Sequence, residues 1–260
     1  MDTLRMLIVV LAMATALMPG RAADAGDAFA RALAHGAEAE RRHDPQAALE
    51  HYRAADRLRP DDPFVLQKMA QQLSDSLFLA ADAEQGRARV EEALRYAHRA
   101  AELDPSSAVN RLSLAILYGR LAAYGGVSDK VEYARRIRHH AEEAMTLDPG
   151  YAWACHVLGR WHLEMAALGS ARRAVVAVLY GGLPKASREE GLRLLERAVE
   201  LEPEALAHRV ELGLAYEKVG RSAEARAQWE LSLKLPAVAI YDAAARQRAI
   251  DALAQLDTRS

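Results

Sequence analysis

The sequence predicts an all-α chain of antiparallel helix pairs stacked one against the next. Three observations carry that expectation. The 260 residues are 51% hydrophobic and 27% charged, rich in Ala, Leu, Arg and Glu, with only 15 Gly and 9 Pro. Those four abundant residues lose little side-chain freedom in a helix. Five segments of helical pattern stop at a proline in a similar setting, at Pro60, Pro105, Pro149, Pro203 and Pro236. Proline cannot continue a helix and drives the residue before it out of the α region. Small residues also recur beside bulky ones at helical spacing, as interlocked helix pairs require.

The first 25 residues read as an address. Arg5 supplies a short positive region, Met6 to Met18 is an uncharged run, and Pro19-Gly20 follows it. Small residues then stand at the spacing a signal peptidase reads, in Gly20-Arg21-Ala22 or Ala23-Asp24-Ala25. The run is shorter than the roughly 20 residues a permanent span needs. The expectation is a secretory signal over residues 1–25, a periplasmic or secreted protein, and no permanent membrane span after cleavage. An uncleaved anchor is the alternative reading.

From residue 27 the chain repeats. The five proline stops are separated by 45, 44, 54 and 33 residues. The last interval is that of a tetratricopeptide unit, about 34 residues, and the others fit the unit with longer helices or insertions. In the first unit Gly36 gives room for close approach, while Ala48, Tyr52 and Ala55 lie on the second helix. Ala93, Ala97 and Ala100 serve the second unit. In the last unit Leu212, Gly213 and Tyr216 face Ala225, Trp229 and Ser232. Each pair leaves one face bare for its neighbour to cover. The stretch Ala237 to Leu256, with Tyr241, Ile250, Leu253 and Leu256, suits a C-terminal cap. The predicted fold is a tetratricopeptide-like α-solenoid over residues 27–256, with a helical insertion at about 166–185 and a capping helix.

The insertion accounts for the long interval. Ala171 to Tyr180 reads as a short extra helix in which Arg172 and Arg173 precede an apolar run. Gly181-Gly182 and Pro184 turn the chain, and Ser187 with Glu190 forms a capping box. Such a helix either thickens the solenoid or lines a pocket for an apolar ligand with an acidic head.

Several chemistries find little support. A net charge of −2 without a basic stripe argues against nucleic acid. The single cysteine, Cys155, forms no internal disulfide. No phosphate-binding loop, Gly-x-Ser-x-Gly or His-Glu-x-x-His element occurs. His139 and His140 are adjacent and point to different faces, and Cys155 and His162 lie two turns apart, about 10 Å. No metal, cofactor or catalytic residue is expected.

The segments Leu158-Gly159-Arg160-Trp161-His162, Val178-Leu179-Tyr180-Gly181-Gly182-Leu183-Pro184 and Glu189-Glu190-Gly191, with Leu212-Gly213 and Tyr216-Glu217-Lys218, resemble the regulator of microtubule dynamics family. The likeness covers roughly residues 85–236. It implies tetratricopeptide-like repeats with a long helical insertion ending in a Phe/Tyr-Gly-x-x-Pro turn. It carries over the fold and a binding role. The tubulin role is not carried over, since a secretory signal stands where eukaryotic members have anchors or coiled coils.

The concave groove is the expected site. The first helix of each unit supplies its residues, and counting from Gly159 selects Trp153, His156, Arg160, Leu163 and Glu164. Counting from Gly213 selects Leu214, Glu217 and Lys218, and earlier units offer Gln67, Gln71 and Arg120. With Arg173 and Tyr180 of the insertion, the binding candidates are Trp153, His156, Arg160, Glu164, Arg173, Tyr180 and Lys218. A non-catalytic protein-interaction scaffold in the cell envelope is the expected function, with a protein or peptide in the groove. A carrier of a lipid-like ligand is the alternative.

Overall fold

The computed structural model describes residues 19–78 and 83–258. The signal-like run Met6 to Met18 lies outside the described residues. The first helix, α1 (Pro19–Arg41), contains both small-residue spacings read as cleavage signals. Described residues form twelve α-helices and one 3-10 turn, and no strand.

Five hairpins follow one another. They are α1 with α2 (Pro45–Leu58), α3 (Pro63–Asp75) with α4 (Ala83–Leu103), and α5 (Ala108–Leu121) with α6 (Val127–Leu147). Next, α7 (Ala152–Ala166) pairs with α9 (Arg188–Leu201), and α10 (Leu206–Lys218) pairs with α11 (Ser222–Lys234). The inserted α8 (Ser170–Tyr180) interrupts the fourth pair, and α12 (Asp242–Asp257) caps the fifth. Each of α2, α4, α6, α9 and α11 ends two residues before its proline.

Caps fix the helix starts. Asp44, Asp62 and Ser107 accept hydrogen bonds from backbone N–H groups of the first turns of α2, α3 and α5. These are donors a helix N-terminus leaves open. Asn110 works the opposite end. Buried on α5, it donates through Nδ2 to the Ala100 carbonyl at 3.1 Å and the Asp104 carbonyl at 3.4 Å, near the C-terminus of α4. Asn110→Ala would remove both bonds, while the Ala100 and Asp104 carbonyls keep the Asp104 and Ser107 N–H groups, and should cost about 1 kcal/mol. Equilibrium urea unfolding checks this, and a loss under half that size would show that water replaces the amide.

The bulky-against-small pairings hold. Ala48, Tyr52, Ala55, Ala93, Ala97, Ala100, Ala225, Trp229 and Ser232 are all buried. A Cβ at Gly36 would sit 2.8 Å from the Tyr52 ring, and one at Gly213 would meet the Trp229 indole. The core divides into three clusters along the solenoid: α1–α5, then α5–α7 with α9, then α7 with α9–α12.

Several local expectations need correction. The cap helix starts at Asp242, five residues after Ala237, and Ile250 is exposed because it falls on the outer face of α12. The capping box at Ser187 is half formed. Ser187 Oγ accepts from the Glu190 N–H at 3.1 Å, but Glu190 turns to Arg193, and Glu189 receives the Ser187 hydroxyl at 2.6 Å.

The last segment reaches the first hairpin. Between α11 and α12 the chain crosses the concave side, and His43 Nε2 donates to the Val238 carbonyl at 3.2 Å. Asp242 holds this crossing by accepting from the Val238 and Ala239 N–H groups at 2.9 and 2.8 Å. The solenoid curvature therefore brings its two ends together, and the groove gains a wall that a shorter array lacks.

Candidate functional site

The concave side holds a cavity of about 730 Å³. Its floor comes from inner faces of α3, α5 and α7, and α12 with Tyr241 closes it at the C-terminal side. Most of the lining is apolar, including Phe78, Val109, Ile116, Val157 and Met165. Arg120, Lys130, Arg160 and Arg248 face it with Asp75 and Glu164. Helical spacing places Trp153, His156, Arg160 and Glu164 on one stripe of α7, and all four line the cavity, as do Gln67, Gln71 and Arg120.

The charged groups are held in two sets. Glu211, buried on α10, pairs with Arg160 Nε at 3.3 Å and with an Arg248 nitrogen at 3.1 Å. Arg160 also reaches Glu164 at 2.9 Å. Burial pulls the Arg160 pKa down, but the Glu211 and Glu164 carboxylates outweigh it and the net shift is upward. The second set lies across the cavity. Arg120 lies over the Phe78 ring at 4.5 Å, and burial lowers its pKa. Its nearest counter-charge, Asp75, is pushed up to about 6 by burial. Among the described residues, the Arg120 guanidinium makes no hydrogen bond and no ion pair within 4 Å. Its donors face the cavity open.

Behind Trp153 lies a buried histidine pair. His156 Nδ1 and His208 Nδ1 are 2.9 Å apart, and His208 Nε2 stands 3.2 Å from a Glu202 oxygen. An ionised carboxylate only accepts, so His208 carries its proton on Nε2 and His156 donates from Nδ1. Burial drives the His208 pKa down to about 4 and the His156 pKa well below its usual value. Both rings pack near Trp153, with centroids 4.5 and 4.9 Å away. Sequence reading missed this pair, because the partners lie 52 residues apart on different hairpins.

The remaining candidates fall elsewhere. Lys218 is exposed at the end of α10, and neither it nor Leu214 nor Glu217 lines the cavity, because only the N-terminal end of α10, at Ala207, reaches it. The insertion also stays outside. Arg173 donates to the Met165 carbonyl at 3.0 Å, and the Tyr180 carbonyl accepts from Arg135. Neither residue reaches the cavity. The turn after α8 uses Gly181 and Gly182 at φ of 72° and 83°, in the left-handed region that glycine adopts without strain.

One metal-type cluster corrects the argument from adjacency. Donor atoms of His139, His140 and Glu143 lie within 4.8 Å of one another on α6. The two rings converge because Glu143 reaches both, at 3.6 and 3.0 Å. Arg111 shares the same carboxylate at 3.8 Å. The set can ligate an ion only by giving up these contacts. Cys155 is buried, and burial raises its pKa, which suppresses the thiolate.

Comparison with known proteins places this architecture. The thermophilic tetratricopeptide protein TTC0263 of Thermus thermophilus superposes with a TM-score of 0.64, at 22% identity, over 87% of this chain and 99% of that one. PilF of Pseudomonas aeruginosa gives a TM-score of 0.55 at 14% identity over 90% of this chain and 93% of that one. These likenesses show the tetratricopeptide-like solenoid. In sequence, regulator of microtubule dynamics protein 3 of Xenopus laevis is 30% identical over 178 residues, 68% of this chain and 38% of that protein. Protein 1 of Mus musculus is 33% identical over 120 residues, 46% of this chain and 39% of its own length. The matches thus span about two-fifths of those relatives. The family profile of regulator of microtubule dynamics proteins 1–3 matches residues 30–257, and the chain belongs to that family.

Proposed function

We propose that this protein is a non-catalytic scaffold that holds a segment of a partner protein in its concave groove. One observation carries the reading: a large, mostly apolar groove in which Arg120 presents unpaired donors beside Phe78. A helix or extended segment with apolar side chains and one carboxylate matches that surface. Apolar contact supplies area, and a guanidinium fork fixes a carboxylate bidentately. The tetratricopeptide-like fold supports the same role. Export to the cell envelope or exterior belongs to the proposal and rests on the pattern of residues 1–25. Fractionation of the cells with mass spectrometry of the N-terminus tests it, and an intact Met1 on protein confined to the cytosolic fraction would remove it.

Photo-crosslinking tests the groove. A crosslinking residue at Val109, which faces the cavity, is expected to capture a protein segment, identified by mass spectrometry. A synthetic copy of that segment should bind Arg120→Ala about tenfold more weakly, the value of a charge-assisted hydrogen bond. Lys218→Ala should bind it unchanged. Absence of any protein adduct at Val109, or equal weakening by both variants, refutes the reading.

The apolar lining favours a second reading, a lipid-like ligand with an acidic head at Arg120. Native mass spectrometry of the purified protein separates the two, since a carrier retains a small-molecule adduct.

A further inference from the structure

The helix α8 is turned inside out relative to the helices around it. Ala171, Ala174, Val175, Val178 and Leu179 fall within about 140° of its circumference at 100° per residue. Every one of them is exposed, with Val175 at 55%, Val178 at 84% and Leu179 at 64%. The opposite side, Arg173, Val176 and Tyr180, is half-buried against the body. Hydrogen bonds hold this orientation. Arg173 donates to the Met165 carbonyl, Arg135 to the Tyr180 and Gly182 carbonyls, and Arg138 to the Lys185 carbonyl. The apolar face is therefore presented outward by a braced element, and it lies apart from the groove.

Charge identifies what would cover it. Acidic residues number 36 in 260, yet none occurs in the 24 positions 165–188 between Glu164 and Glu189. The same stretch carries Arg172, Arg173, Lys185 and Arg188. Among the described residues, Arg172, Lys185 and Arg188 are exposed and make no ion pair. An apolar face on a short helix beside exposed cations, in a stretch without carboxylates, is complementary to an interface of acyl chains beneath anionic headgroups.

We propose that α8 docks its outer face on an anionic bilayer surface, lying in the plane of the interface while the solenoid stays in water. The aliphatic side chains enter the headgroup boundary, and Arg172, Lys185 and Arg188 meet the lipid phosphates. This placement is independent of what fills the groove. No described helix is long and apolar enough to cross a membrane, so α8 lies on the surface and does not span it.

A local probe tests the proposal in the full chain. With Cys155 buried, a polarity-sensitive thiol dye reacts selectively at Val178→Cys, and a Leu231→Cys control labels an exposed apolar site on α11. With phosphatidylglycerol–phosphatidylcholine vesicles, the dye at 178 is expected to shift to the blue and to be quenched by spin-labelled acyl chains. The dye at 231 should do neither. Arg172→Glu, Lys185→Glu and Arg188→Glu together should raise the vesicle concentration needed at least about tenfold. An unchanged signal at 178, equal insertion into pure phosphatidylcholine, or insensitivity to charge reversal would overturn the proposal. A blue shift without vesicles that grows with protein concentration would overturn it too, by showing that a second copy covers the face.

Discussion

Gly159→Val should destabilise the protein by about 3 kcal/mol or more, an effect at the upper end of overpacking. At Gly159 a Cβ would sit 2.9 Å from the Gly191 carbonyl oxygen and 2.9 Å from Leu195 Cγ. At Gly191 it would sit 2.9 Å from the Gly159 carbonyl oxygen and 2.8 Å from Leu163 Cγ. Two backbones thus touch where α7 crosses α9, and a carbonyl cannot rotate aside as a side chain can. Leu195 is fully buried, so its movement has nowhere to go. Replacing a helical glycine normally stabilises by up to about 1 kcal/mol, so the sign here is reversed by the crossing. Gly119→Ala provides the contrast. A Cβ there meets only Ile137 Cδ1 at 3.9 Å, and the substitution should stabilise slightly. Urea unfolding of the three proteins measures both signs. A Gly159→Val protein as stable as the parent would mean that α7 and α9 do not cross at this point. Because α7 carries Trp153, His156, Arg160 and Glu164 on its other face, spreading this crossing should also weaken whatever the groove binds.

Acidification should loosen the fold through the histidine pair. His208 is wholly buried, and its pKa falls to about 4 because burial outweighs the nearby Glu202. In the unfolded chain a histidine titrates near 6.5. Between those values the unfolded state binds the extra proton, so stability is full above about 6.5 and declines as pH falls towards 4. The loss from His208 is about 2 kcal/mol at pH 5. His156 is shifted in the same direction and adds to it. Asp75 works the other way. Its folded pKa of about 6 lies above the unfolded value, so protonation on acidification favours the folded state, by about 1 kcal/mol at pH 5. Unfolding free energies at pH 7 and pH 5 should therefore fall less in His208→Gln than in the parent, and more in Asp75→Asn. Identical slopes in all three proteins would show that neither group is desolvated as described.

The repeat units were legible because the forces that write them act over a few residues. Pro60, Pro105, Pro149, Pro203 and Pro236 stop helices by local sterics, and Gly36, Gly213 and the buried alanines mark crossings within one hairpin. The inner stripe of α7 could be counted from Gly159: Trp153, His156, Arg160 and Glu164 line the cavity, but Leu163, which the count also chose, is buried in the core instead. The same count failed at Lys218, although its helix was assigned correctly, because only the start of α10, at Ala207, reaches the cavity.

The sequence by itself determined the helices, their pairing in order and the small and bulky residues of the first, second and last units, since periodicity and proline are properties of neighbouring residues. Tertiary structure alone decided that Val238 meets His43, that His156 meets His208, that Glu211 joins Arg160 to Arg248, and that the apolar side of α8 faces outward. These contacts depend on small rotations accumulated from one hairpin to the next, and no local pattern of residues records that sum.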